Sequence, residues 1–171
     1  MNLNLILPLK KVTINNKELC IRKLGLKHHK LLRDAKSPEE TLKIVLDEIN
    51  TDLTRSEAKL VLYHVLEFNG KIKKTFEYKG QTYSIDDIYI LPRPEFTYQG
   101  KTYTFKEPSI DQRFFSAKDI LETLCTEEVD FGNMPAFVYK WADELNKSIA
   151  IKLSDKIVYG DDIEELFNGD E

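Results

Sequence analysis

An α+β fold is expected for this 171-residue chain, and three features of the sequence carry that expectation. Serines and threonines in capping positions precede apolar residues spaced three and four apart, which marks amphipathic helices. From residue 71 the alphabet changes to threonines and aromatics in period-two alternation, which marks strands. Within that stretch, Phe76-Glu77-Tyr78-Lys79-Gly80-Gln81-Thr82-Tyr83-Ser84-Ile85 is echoed by Phe96-Thr97-Tyr98-Gln99-Gly100-Lys101-Thr102-Tyr103-Thr104-Phe105. Both copies read aromatic-x-Tyr-x-Gly-x-Thr-Tyr-x-apolar, each glycine supplying a hairpin turn. The expected architecture is a helical N-terminal half, a small antiparallel sheet of two similar hairpins, then C-terminal helices. One domain is expected over 1–171, with 1–9 an apolar arm, 71–107 a double-hairpin insertion and 108–171 a helical part.

The arm comes first. Leu3, Leu5, Leu7 and Leu9 alternate along it, and Pro8 points to a sheet edge or an extended segment. Val12, Ile14, Leu19 and Ile21 then alternate around Asn15-Asn16-Lys17, so Lys11–Ile14 and Glu18–Arg22 read as a hairpin. After Gly25, residues Leu26–Asp34 are helix formers with Leu31 and Leu32 on the inner face. Ser37-Pro38-Glu39-Glu40 combines a serine cap, a first-turn proline and carboxylates at the positive helix end, opening a helix to about Ile49. Thr54-Arg55-Ser56-Glu57 has capping-box spacing and opens the strongest helix, about Arg55–Phe68. Its buried stripe is Leu60, Val61, Val65 and Phe68, and Asn69-Gly70 ends it.

After the two hairpins, separated by Pro92 and Pro94, Ser116 caps a helix ending near Cys125. Pro135 lies in the first turn of another, with Phe137, Val138 and Trp141 on its apolar side. Ser148–Leu153 reads as a strand and Asp161–Phe167 as a last short helix, with Asn168–Glu171 frayed.

Composition narrows the class. With 42% apolar, 32% charged and 11% aromatic residues, the chain is ordinary for a soluble globular protein. The uncharged run Met1–Leu9 is far short of the roughly 20 apolar residues that cross a bilayer. It also lacks the leading positive charges of a signal peptide, since Lys10 and Lys11 follow it. Two cysteines, Cys20 and Cys125, are too few for a secreted disulfide scaffold. The net charge of −4 hides an asymmetry, because residues 1–36 carry +7 and residues 111–171 carry −9. The basic end has no aromatic residue to stack nucleobases. Its charge is better read as complementing the acidic end, or as orienting the protein in an assembly.

Sites for chemistry are sparse. His64 and Glu67 have a histidine-x-x-glutamate spacing that places both on one helix face, as in some zinc carboxypeptidases. The spacing is common by chance, and a partly buried histidine beside a surface glutamate accounts for it far better. His28 and His29 point about 100° apart on a helix and read as a solvated basic face. Neither cysteine has a histidine near it in sequence, so both read as small core residues. No glycine-rich phosphate loop or nucleophile elbow is present. The remaining candidates are contact residues: Leu3, Leu5 and Leu7 of the arm, and Tyr78, Tyr83, Tyr98 and Tyr103 of the hairpins.

Four blocks carry a family resemblance. Met1-Asn2-Leu3-Asn4-Leu5-Ile6-Leu7-Pro8-Leu9-Lys10-Lys11, Ile21-Arg22-Lys23-Leu24-Gly25-Leu26-Lys27-His28, Leu66-Glu67-Phe68-Asn69-Gly70-Lys71-Ile72-Lys73, and Met134-Pro135-Ala136-Phe137-Val138 with Lys140-Trp141-Ala142 resemble the small baseplate-hub proteins of T-even-type tailed phages, the distal hub subunits or hub assembly proteins. The blocks run from Met1 to about Trp141, and after about Ser148 the resemblance assigns nothing. It implies a late viral protein, not an enzyme and without a cofactor or bound metal, that binds other hub proteins during contractile-tail assembly. It implies a place in the host cytoplasm or the virion, as a chaperone or a lasting component, and no nucleic-acid, membrane or small-molecule partner. The rivals are a zinc-dependent peptidase using His64 and Glu67, and nucleic-acid binding through the N-terminal lysines.

Overall fold

The computed structural model describes residues 8–46, 49 and 52–169, and its architecture is mixed helix and antiparallel sheet. The first described element is a hairpin of β1 (Leu9–Ile14) and β2 (Lys17–Arg22), which start two residues and one residue earlier than expected and end where expected. Asn15 and Asn16 both have positive φ (48° and 64°), the pair of left-handed residues that a two-residue type I′ turn needs. Three helices follow: α1 (Leu26–Asp34), α2 (Pro38–Val45) and α3 (Arg55–Phe68). The N-terminal half is therefore helical only after a strand pair.

Helix α2 starts where its serine cap requires, with Ser37 Oγ accepting from the Glu40 N–H at 3.2 Å, but it ends at Val45 rather than Ile49. In α3 the reciprocal cap forms fully: Glu57 N–H donates to Thr54 Oγ1 (3.2 Å) and Thr54 N–H donates to Glu57 Oε2 (3.0 Å). The helix ends in a Schellman arrangement, in which Lys71 N–H donates to Leu66 O and Gly70 N–H to Glu67 O, both at 2.9 Å. Gly70, at φ 68°, is the left-handed residue that this closure needs.

The repeat forms two hairpins, β3 (Thr75–Tyr78) with β4 (Gln81–Ser84), and, beyond β5 (Ile88–Ile90), β6 (Phe96–Tyr98) with β7 (Lys101–Tyr103). Both turns have paired positive φ values, at Lys79-Gly80 and at Gln99-Gly100. The hairpins do not share a sheet, contrary to expectation; each is its own two-stranded ribbon. Between them β5 leaves to pair elsewhere. Its partner is β8 (Ile149–Lys152), and β9 (Ile157–Tyr159) adds a third strand after α4 (Ala117–Leu124) and α5 (Tyr139–Asn146) have been built. The chain's last helix is α6 (Asp162–Asn168). Residues 108–171 are thus part helix and part sheet. Strand β8 is central, and Ile149, Ala150 and Ile151 are all buried, as an apolar run covered on both faces must be.

Two hydrophobic clusters organise the packing. The larger joins the β1–β2 hairpin, α2, α3, β5, β8 and α6, with α3 at its centre. Seven residues of α3 are buried, among them Ser56, Glu57, Ala58 and Tyr63, so its buried surface is broader than the stripe Leu60-Val61-Val65 and Phe68 lies only half inside. The smaller joins Phe105, α4, Phe131 and α5 around Trp141. Helix α6 is anchored: Ile163 and Phe167 are wholly buried, and the Phe167 ring meets Phe76 edge-on at 4.8 Å. The expectation of fraying therefore does not apply to the backbone through Asn168, while residues 170 and 171 lie outside the described residues.

Candidate partner-binding surface

The contact residues expected from sequence divide into three groups. Leu3, Leu5 and Leu7 lie outside the described residues. Tyr78 and Tyr83 belong to the first hairpin and pack on the larger cluster, whereas Tyr98 and Tyr103 belong to the second and pack on the smaller. Alternation puts Phe76 and Tyr83 in register across β3 and β4, and their rings stack at 5.5 Å. Tyr78 lies between the ammonium groups of Lys79 (5.5 Å) and Lys156 (5.2 Å). Lys79 also ion-pairs with Asp155 at 2.5 Å, tying the hairpin turn to the segment before β9.

All four tyrosines are half-buried, so each spends much of its ring on its own core. The second hairpin shows this best. Phe96 stacks on Trp141 at 4.9 Å with the rings 4° from parallel, and Tyr103 lies 5.6 Å from the same indole. Tyr98 meets Phe137 edge-on at 5.6 Å. Phe137 itself remains 48% exposed, and Tyr139 beside it 52%, which places open aromatic surface at the outer edge of this cluster. Met134, half-buried, and exposed Pro135 border the same face. Sequence periodicity assigned Phe137 to the apolar side of its helix. In fact Ala136–Val138 is a 3₁₀ turn entering α5, and its tighter pitch turns Phe137 outward while Val138 and Trp141 go in.

The other candidates are resolved by geometry. His64 is half-buried, and burial lowers its pKa below the ordinary imidazole value, with Lys10 acting in the same sense and Asp86 and Glu67 against it. Glu67 is engaged by Lys10 Nζ at 3.3 Å. Among the described residues no group of three or more His, Cys, Asp or Glu side chains is placed to hold a metal ion, which removes the support for a zinc site at His64 and Glu67. His28 is buried rather than solvated: its Nδ1 accepts from the Gly25 N–H at 3.1 Å, closing the start of α1 in place of a capping side chain, while His29 faces solvent. Leu31, expected inside, is 51% exposed, and Leu32 alone of that pair packs on the core. Cys20 is exposed on the open face of β2, contrary to expectation, and Cys125 is buried as expected.

Two lysines of the basic N-terminal hairpin find carboxylates on α3 rather than in the acidic C-terminal third. Lys10 pairs with Glu67, and Lys17 pairs with Glu57 at 2.7 Å, both on α3. Glu57 is 3% exposed and its carboxylate also accepts from Asn15 Nδ2 at 3.0 Å. Burial pushes the pKa of this carboxyl up, but the hydrogen bonds from Lys17, Asn15 and the Thr54 N–H, with the Lys17 charge, outweigh it and hold the group below the usual glutamate value. One residue thus caps α3 and docks the hairpin on it. Sequence reading found the cap alone, because the hairpin partners are some forty positions away.

The fold and this surface can be set beside known proteins. A family model described as the baseplate hub distal subunit matches residues 21–166. The baseplate hub assembly protein gp28 of Enterobacteria phage T4 is 46% identical over 159 residues, covering 88% of this chain and 90% of that protein. No solved structure matches the chain.

Proposed function

The chain belongs to the baseplate hub distal subunit family, and from that premise we propose that it binds other hub proteins while a contractile-tail baseplate is assembled. Its work is contact, templating or shielding apolar surface, and no bond is made or broken. The contact surfaces are the arm Met1–Leu9 and the aromatic edge built on the second hairpin. The observation that supports the second surface is Phe137, half exposed and held in place by Tyr98 and Trp141, because a rigid, part-covered aromatic contributes binding area at low entropic cost. On this reading residues 1–171 act as one unit, in the host cytoplasm during assembly and in the virion if the protein stays with the hub. No helix among the described residues is long and apolar enough to cross a membrane.

Retention of purified hub proteins on the immobilised chain tests the reading. Deleting Met1–Leu9 should abolish or strongly reduce retention. Unchanged retention removes the arm from the account, and failure of the wild-type chain to retain any hub protein removes the proposal.

A further inference from the structure

We propose that a cleft between the first turns of α3 and the segment 108–115 binds an acidic segment of a partner protein, a carboxylate flanked by apolar residues. The cleft has a volume of about 470 Å³. It takes Arg55 and Lys59 from α3, Arg93 from the crossing between the hairpins, and Arg113 from the loop before α4. Among the described lining residues Asp161 is the one carboxylate, so the charge converging there is strongly positive in a chain of net charge −4.

Arg55 is engaged within the fold, its guanidinium donating to Gln112 O. Among the described residues Lys59, Arg93 and Arg113 make no ion pair. The Arg93 guanidinium is fixed by two carbonyls, with Nη1 donating to Leu145 O (3.1 Å) and Nη2 to Lys106 O (2.9 Å), and its buried Nε has no partner. Glu107 acts on Arg93 at longer range, but its carboxylate is held by the Ser56 hydroxyl and N–H. Ser148, also on the lining, is buried (7% exposed), and its hydroxyl is likewise unpartnered. Buried polar atoms without partners are rare in folded proteins, and two of them here border a single opening. A partner carboxylate would supply an acceptor to half-buried Lys59 and exposed Arg113.

The walls argue for a protein as occupant. Phe114 lies under the Arg55 guanidinium at 5.4 Å, and Phe115 beside it is 91% exposed, while Leu42, Ile120 and Leu145 complete an apolar lining. A polyanion would meet the long-range repulsion of a negatively charged chain, whereas one or two carboxylates need only the local field. The inference takes from the hub reading only that the occupant is a protein; no residue of the second hairpin lines the cleft.

The test is fluorescence anisotropy on the full chain with two labelled hexapeptides, Gly-Leu-Glu-Phe-Glu-Gly and its glutamine counterpart Gly-Leu-Gln-Phe-Gln-Gly. The acidic peptide should bind saturably, weaken as salt is added, and exceed the glutamine peptide at least tenfold. Lys59→Glu combined with Arg113→Glu should cut its binding at least tenfold with unfolding temperature unchanged, and Arg113→Gln should give an intermediate loss. Equal binding of the two peptides, no saturation by millimolar concentration, or undiminished binding by the double variant overturns the proposal. So does tighter, charge-dependent binding of a ten-residue oligothymidylate. Self-association that the double variant abolishes and the peptide does not compete with would assign the cleft to a second copy, and also overturns it. Retention of hub proteins by the wild-type chain tests the hub reading separately.

Discussion

Replacing Glu57 with glutamine keeps the side-chain shape and removes the charge at the point where the N-terminal hairpin docks on α3. In the folded chain the carboxylate accepts from Thr54 N–H at 3.0 Å, Asn15 Nδ2 at 3.0 Å and Lys17 Nζ at 2.7 Å. The Lys17 side chain is 37% exposed, so that pair is discounted to about 0.5 kcal/mol for solvent screening. The other two are hydrogen bonds to a charged acceptor, about 1.5–3 kcal/mol each when lost completely. Glutamine keeps one carbonyl oxygen and therefore one of them, and turns an amide N–H₂ toward the donors it cannot satisfy. The expected loss is about 2 kcal/mol, which for a chain of this size lowers Tm by about 4–8 °C. Urea unfolding followed by circular dichroism at pH 7 measures it. The same difference should shrink with acid. Because the folded pKa of Glu57 lies below its unfolded value, its stabilisation is fully present above about pH 4.5 and is lost as pH falls through the folded pKa. A loss under 0.5 kcal/mol at pH 7, or a difference that does not diminish between pH 5 and pH 3, would refute the carboxylate's role in docking the hairpin.

Three other outcomes are expected. Phe167→Ala empties a fully buried ring site between Phe76 and Tyr63 and should cost about 3–5 kcal/mol in urea titration, although only four residues of the sequence follow it. Gln99→Asn, at a turn position with φ 49°, should raise stability by up to about 1 kcal/mol because asparagine tolerates the left-handed region better than glutamine; a lowered Tm would contradict the type I′ assignment. Phe137→Ser should leave thermal unfolding within a few degrees of wild type while weakening retention of hub proteins at least fivefold, and equal retention would exclude that aromatic edge from the interface.

Much of this fold is written in short-range signals. The Thr54–Glu57 box, the Ser37 and Ser116 caps and the paired left-handed residues of the turns each act over about four positions. Backbone sterics and capping are satisfied locally, so α3 lies over the residues its sequence predicts. The family was also legible, in blocks spread along the chain that resemble hub proteins. What tertiary structure alone decided involves partners distant in sequence. Strand β5 pairs with β8 across some sixty residues, which separates the two repeated hairpins into different ribbons and gives the aromatics of each a different core to fill. Residue type marks Cys20 as core, although the alternation of Leu19 and Ile21 already turns it outward, and the flanking lysine marks His28 as surface, although which face of a helix turns inward depends on what packs there; both are reversed. The cations of the cleft come from segments that only folding brings together. A single sequence encodes its turns and caps locally, whereas burial and field are sums over the whole chain, and those sums exist only once it is folded.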